Sequence, residues 1–193
     1  MTDTLAGEAA FTLEVKHSRF LARAAPVGSA DEAQAFLAAV SDPAATHNCW
    51  AWRIGDQYRS SDDGEPAGTA GRPILAASAG QGYDRVAVGV TRGVGGRLRG
   101  AGGLGRASGG AAAECLRRAE RLPVVAMRTV ALHAGFDDIG TVHAVLAAVG
   151  AEKLDERFEA DGLHLQVCVA EAQLEALRVQ LRDATRDRVR LLQ

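Results

Sequence analysis

The chain has 193 residues, 47% of them apolar and 24% charged, and 22 Lys+Arg against 24 Asp+Glu leave a formal net charge of −2. Those figures fit one large or two small globular domains and exclude the disordered class. No run approaches the roughly 18 consecutive apolar residues of a membrane span, so no membrane partner is expected, and the near-neutral charge argues against indiscriminate nucleic-acid binding.

The opening MTDTLAGEAAF lacks the basic flank and continuous apolar run of a secretory signal, so a cytoplasmic protein is expected. Cys49, Cys115 and Cys168 are far apart and each lies in an apolar pattern; they read as reduced core thiols rather than disulfides or metal ligands. Apolar, strand-like stretches at residues 11–15 and 20–27 are interrupted by Lys16, His17, Ser18 and Arg19. Ser29 with Glu32 three residues on predicts a capped helix; Ala33, Phe36, Leu37 and Val40 give its stripe, and Asp42-Pro43 stops it. Asn48, Trp50, Trp52 and Ile54 alternate with Cys49, Ala51 and Arg53, the period of a strand. Two tryptophans on one side suit base stacking, but core packing is the preferred reading. SSDDGEPAGTAG reads as a loop, and Pro73 lies in the first turn of a short helix through Ala79.

Residues 86–113 hold no acidic side chain, four arginines and ten of the 22 glycines. They read as an apolar strand, a glycine-rich loop and a helix with Leu104, Ala107, Ala111 and Cys115 three and four apart. Such a loop aims amide N–H groups and a positive dipole end at an anion; the same glycines also suit tight turns or close packing. Neither a Walker-type loop nor a dinucleotide fingerprint is present. The anion- or RNA-binding candidates are Arg92, Gly95, Gly96, Arg97, Arg99, Gly102, Gly103 and Arg106. Arg92 and Arg106 stand foremost, because a guanidinium donates two parallel hydrogen bonds to phosphate and stays charged. A second candidate site is His47, Arg53, Asp62, Asp63, Glu65 and Arg72. Its carboxylates suit a divalent cation, but Asp before Gly is also ordinary turn chemistry, and a turn with salt bridges is preferred. Neither a metal nor another cofactor is expected, and no catalytic residue is assigned.

The arginine-rich helix ends near Leu122 and Pro123, where the balance shifts from near neutral to net negative, so domains at 1–122 and 123–193 are predicted. In the second, residues 124–132 read as a strand, and Ile139, Val142, Leu146 and Val149 mark a helix ending at Gly150. Leu154, Glu156 and Phe158 alternate before an Ala160-Asp161-Gly162 turn into Leu163, Leu165, Val167 and Val169. Leu174, Leu177, Leu181 and Ala184 form a last helix, and residues 189–192 a closing strand. The order βαββαβ is ferredoxin-like, making the whole an α+β chain of two domains.

HSRFLARAAPV, ATHNCWAWRIG, RSSDDGEPAGTAGRPIL, VAVGVTR and the GG, GAGGL and RA frame resemble, in order and spacing, the IMPACT family in its bacterial YigZ-like branch, over essentially the whole chain. The resemblance implies a first domain similar to the second domain of a small-subunit ribosomal protein and to domain IV of elongation factor G. It implies a second similar to that factor's ferredoxin-like domain V. It also implies a link to translational control, since eukaryotic members restrain a stress-activated initiation-factor kinase by competing for its activator. Where the family usually has an aromatic pair, a lysine and a further aromatic, this chain has Gly93 and Val94, Leu98 and Ser108. The expected function is a non-enzymatic, translation-linked regulatory protein that binds RNA, the ribosome or a translation-associated protein through the glycine/arginine loop. The alternative is a phosphate-ester or nucleotide-handling enzyme, with Asp62, Asp63 and Glu65 holding magnesium or serving as base. Nothing in the sequence signals an oligomeric state.

Overall fold

The computed structural model describes residues 2–93 and 101–192, in two compact units, Met1–Val124 and Val125–Gln193. In the first, β2 (Ala9–Val15), β3 (Ser18–Pro26), β4 (His47–Ile54), β5 (Gln57–Ser61) and β6 (Val86–Arg92) form an antiparallel sheet in the order β2-β3-β6-β4-β5. The first five residues of β6, VAVGV, are all buried, as a strand covered on both faces requires. One face carries α2 (Gly71–Gly80) and α3 (Ala101–Arg118), packing Ile74, Leu104 and Leu116 onto Phe20, Ala51 and Val88. Each fully buried side chain of that size is worth about 1.5–3 kcal/mol.

The other face carries α1 (Ala30–Val40), whose Ala33 and Leu37 meet Trp52 and Ala87. Both tryptophans lie on this face, with Trp50 half-buried and Trp52 in the core. The Ser29 hydroxyl accepts from the Glu32 amide at 3.2 Å, and the Glu32 carboxylate accepts from Gly28 at 2.7 Å, closing a box one residue wider than the usual pair.

Glycines in α3 serve packing. A Cβ at Gly109 would stand 3.1 Å from Pro73 Cβ and 3.3 Å from its carbonyl oxygen, so the two helices meet backbone to backbone. Two elements lay outside the sequence reading: β5, whose polar QYRSS is mostly exposed, and the pairing of β1 (Asp3–Leu5) with β7 (Arg121–Pro123). That pairing keeps residues through Val124 in the first unit.

The second unit runs β8 (Met127–Ala134), α4 (Ile139–Ala148), β9 (Glu152–Glu159), β10 (Gly162–Ala170), α5 (Leu174–Thr185) and β11 (Leu191–Leu192). Its sheet order β11-β8-β10-β9, antiparallel throughout, is the split βαβ arrangement. Leu163, Leu165, Val167 and Val169 of β10 face Val142, Leu146, Leu177 and Leu181 of the helices. Arg188 clamps the nearly buried Asp138 carboxylate through two nitrogens, at 2.9 and 2.7 Å. Among the described residues no helix is long and apolar enough to cross a membrane.

Candidate functional site

The segment DDGEPAGTAG, read as a loop, is a hydrogen-bonded knot built on Asp62. Asp62 Oδ1 accepts from the amides of Ala70 at 3.1 Å and Gly71 at 2.8 Å, and Oδ2 accepts from Gly68 at 2.8 Å. A carboxylate distant in sequence thus caps α2 and favours its positive dipole end. Desolvation raises the Asp62 carboxyl, but these amides and the Arg72 guanidinium outweigh it and hold the group below its ordinary value. Gly71 is required here, since a Cβ would stand 2.9 Å from both the amide nitrogen and the carbonyl oxygen of Ser61.

Beside the knot, cross-strand pairing sets His47 of β4 opposite Arg92 of β6, and Glu65 lies between their side chains. Arg92 Nε donates to Glu65 Oε1 at 2.6 Å, and His47 Nε2 stands 3.8 Å from Glu65 Oε2. The Glu65 side chain is only 5% exposed, so its charge depends on this pairing. His47 Nδ1 lies 2.5 Å from the Asp63 carbonyl, which only accepts, so that nitrogen carries the proton. Asp63 Oδ2 accepts from the Asn48 amide at 2.7 Å. The Cys49 thiol donates to the Asp62 carbonyl at 3.0 Å. Burial first, then the Glu65, Asp63 and Asp62 carboxylates, push it up to about 12, and burial pushes Cys115 to about 11; neither is a nucleophile near neutral pH.

The two sequence-predicted constellations therefore meet: Arg92 from the first is the ion-pair partner of Glu65 from the second. Arg72 bears on Asp62, whereas Arg53 sits at the far end of β4, opposite Tyr58 and Val86, and donates to the Gly55 carbonyl at 3.2 Å. Gly95, Gly96, Arg97 and Arg99 lie outside the described residues. Gly102 and Gly103 fall within α3, not in a loop before it. Arg106, on the same helix, is exposed and has no hydrogen bond or ion pair with any described residue.

One further group, which no local sequence pattern places here, stands beside these. Lys16 and His17 form the two-residue turn between β2 and β3 with φ of 48° and 67°, a left-handed pair that normally recruits Asn or Gly. Strain of this kind is often kept where function needs it. The next residue but one, Arg19, accepts the Gly93 amide on its carbonyl oxygen at 2.9 Å. The hairpin tip is thereby fixed against the start of the glycine/arginine segment. The signal in sequence was the basic break KHSR between two apolar strands; its proximity to Gly93 depends on strand order.

Fold and site together define a two-domain α+β protein whose first domain gathers basic residues at one end of its sheet, beside a self-satisfied acidic knot. The chain belongs to the IMPACT family. Residues 16–116 match the Impact N-terminal domain, and residues 132–188 match a domain of unknown function, DUF1949. Escherichia coli IMPACT family member YigZ is 33% identical over 186 residues, 93% of this chain and 91% of that protein. A Thermus thermophilus family member is 54% identical over 134 residues, 69% of this chain and 74% of that one. A crystal structure of a hypothetical protein superposes at TM-score 0.73 with 31% identity, over 100% of this chain and 97% of its own.

Proposed function

We propose that this protein is a translation-linked regulator that contacts RNA phosphate with the end of its first domain where the β2–β3 turn, β6 and α3 converge. The observation that carries the reading is the Gly93–Arg19 hydrogen bond, which brings Lys16, His17 and Arg19 to the segment that leads into α3 and Arg106. No carboxylate lies in the first turn of α3, which favours an anion there, and the solvent-exposed Arg19–Glu14 pair at 3.4 Å is weak enough for a phosphate to displace. Arg92 serves this end indirectly: with its Nε on Glu65 it holds the knot in place. The finer reading, a first domain like domain IV of elongation factor G and a second like its domain V, fits a partner on the ribosome, and the RNA is its simplest mimic.

A nucleotide-handling enzyme is the weaker reading. It needs Asp62 or Glu65 free to hold magnesium, and each is engaged by amides or by arginine.

Fluorescence anisotropy of a labelled structured RNA tests the proposal. Wild type is expected to bind at low salt, and Lys16→Ala/Arg19→Ala/Arg106→Ala to bind at least about tenfold more weakly, because each lost cation removes a phosphate contact. Wild type that ignores RNA at low salt overturns the reading and directs attention to a translation-associated protein partner.

A further inference from the structure

The second domain holds a side-chain group that the proposed function does not use. His133 of β8 and His164 of β10 are directly opposite in the antiparallel register, on the sheet face away from the helices, since Leu132, Ala134, Leu163 and Leu165 point the other way into the core. Their ring centroids lie 4.6 Å apart. Both Nε2 atoms converge on Asp161 in the β9–β10 turn, His164 at 2.9 Å from Oδ1 and His133 at 3.4 Å from Oδ2. Glu159, the last residue of β9, brings Oε2 to 3.5 Å from His164 Nε2 while its Oε1 pairs with Arg157 at 3.3 Å.

We propose that His133, His164 and Asp161 form a binding site for a first-row transition-metal ion, zinc being the best fit, with Glu159 beside it as a further oxygen donor. Zinc binds imidazole nitrogen and carboxylate oxygen at about 2.0–2.2 Å, so two ligands of a tetrahedral centre stand about 3.3 Å apart. The nitrogen-to-carboxylate spacings of 2.9 to 3.5 Å lie on either side of that value. Among the described residues this is the one group of three whose ligand atoms all lie within 4.8 Å of one another. Two imidazoles with a carboxylate select zinc, nickel or copper over magnesium and calcium, which prefer all-oxygen shells.

His164 now presents Nε2–H to Asp161 Oδ1 at 2.9 Å, and His133 presents Nε2–H to the Asp161 backbone carbonyl at 3.0 Å. On binding, each proton moves to Nδ1 and the Nε2 lone pair turns to the metal, with no net change in ring charge. His133, His164 and Asp161 supply three ligands, and the fourth tetrahedral position falls to Glu159 or to water.

The test is calorimetric titration of the full chain with Zn²⁺ and, separately, Mg²⁺. One saturable zinc equivalent and no magnesium binding are expected. His133→Gln and His164→Gln should each weaken zinc at least about tenfold, with Cys168→Ser unchanged. Circular dichroism checks that the variants stay folded. Co²⁺ added to wild type gives an independent reading that needs no variant: visible bands of a nitrogen–oxygen site without thiolate charge transfer. No saturable zinc binding, unchanged affinity in folded histidine variants, or a thiolate spectrum would each overturn the proposal.

Discussion

The two domains each hold a cluster of histidine and carboxylate, and the clusters differ in what their carboxylates do. In the first, Asp62 is spent on three backbone amides and Glu65, only 5% exposed, on Arg92. In the second, the Asp161 side chain is 61% exposed and faces two imidazoles. The same residue types thus make a structural knot where several amides and an arginine hold them, and a more open group at Asp161, where two imidazoles face an exposed carboxylate.

The strongest way to break the knot is Arg92→Ala, which leaves the buried Glu65 charge with only His47 at 3.8 Å beside it. A loss of about 3 kcal/mol in urea unfolding is expected, the low end for breaking a buried ion pair, and Arg92→Ala/Glu65→Gln should recover part of it. Gly71→Ala forces a methyl group onto the Ser61 backbone and should cost on the order of 2–3 kcal/mol. Asp62→Ala removes the cap of α2 and strands its amides, for about 2 kcal/mol.

The Asp62 contribution carries a pH signature. Its carboxyl is held below the ordinary value in the fold, so its stabilisation is fully present above the unfolded value near 4 and fades as pH falls through the lower folded one. The gap between wild type and Asp62→Asn should therefore be wide at pH 7 and narrow in acid. The smallest effect sharpens the contrast: Asp161→Asn should lower the metal-free unfolding midpoint only slightly, because the exposed pairing with His164 is screened by solvent.

What sequence made legible followed from distance along the chain. The α1 cap, the Trp50/Trp52 alternation and the β9–β10 hairpin are local patterns, and the structure contains each of them. The family motif RSSDDGEPAGTAGRPIL marked the knot, but not that its carboxylates are satisfied within it, because the amides of Gly68 and Gly71 have no side-chain signature. The glycines of α3 carried an ambiguous message: at Gly109 the close contact with Pro73 decides for packing. His133 and His164 were unreadable as a pair because 30 residues and a strand crossover separate them, and only register sets them face to face.

The central claim, that the basic end of the first domain meets RNA phosphate, is tested most directly by the slope of log affinity against log salt for wild type and Arg106→Ala. Arg106 is the cleanest probe, being exposed and free of partners among the described residues. Steep salt dependence in wild type, with a slope shallower by about 1 in the variant, is the predicted result. Equal slopes would contradict it, as would RNA affinity that does not change with salt.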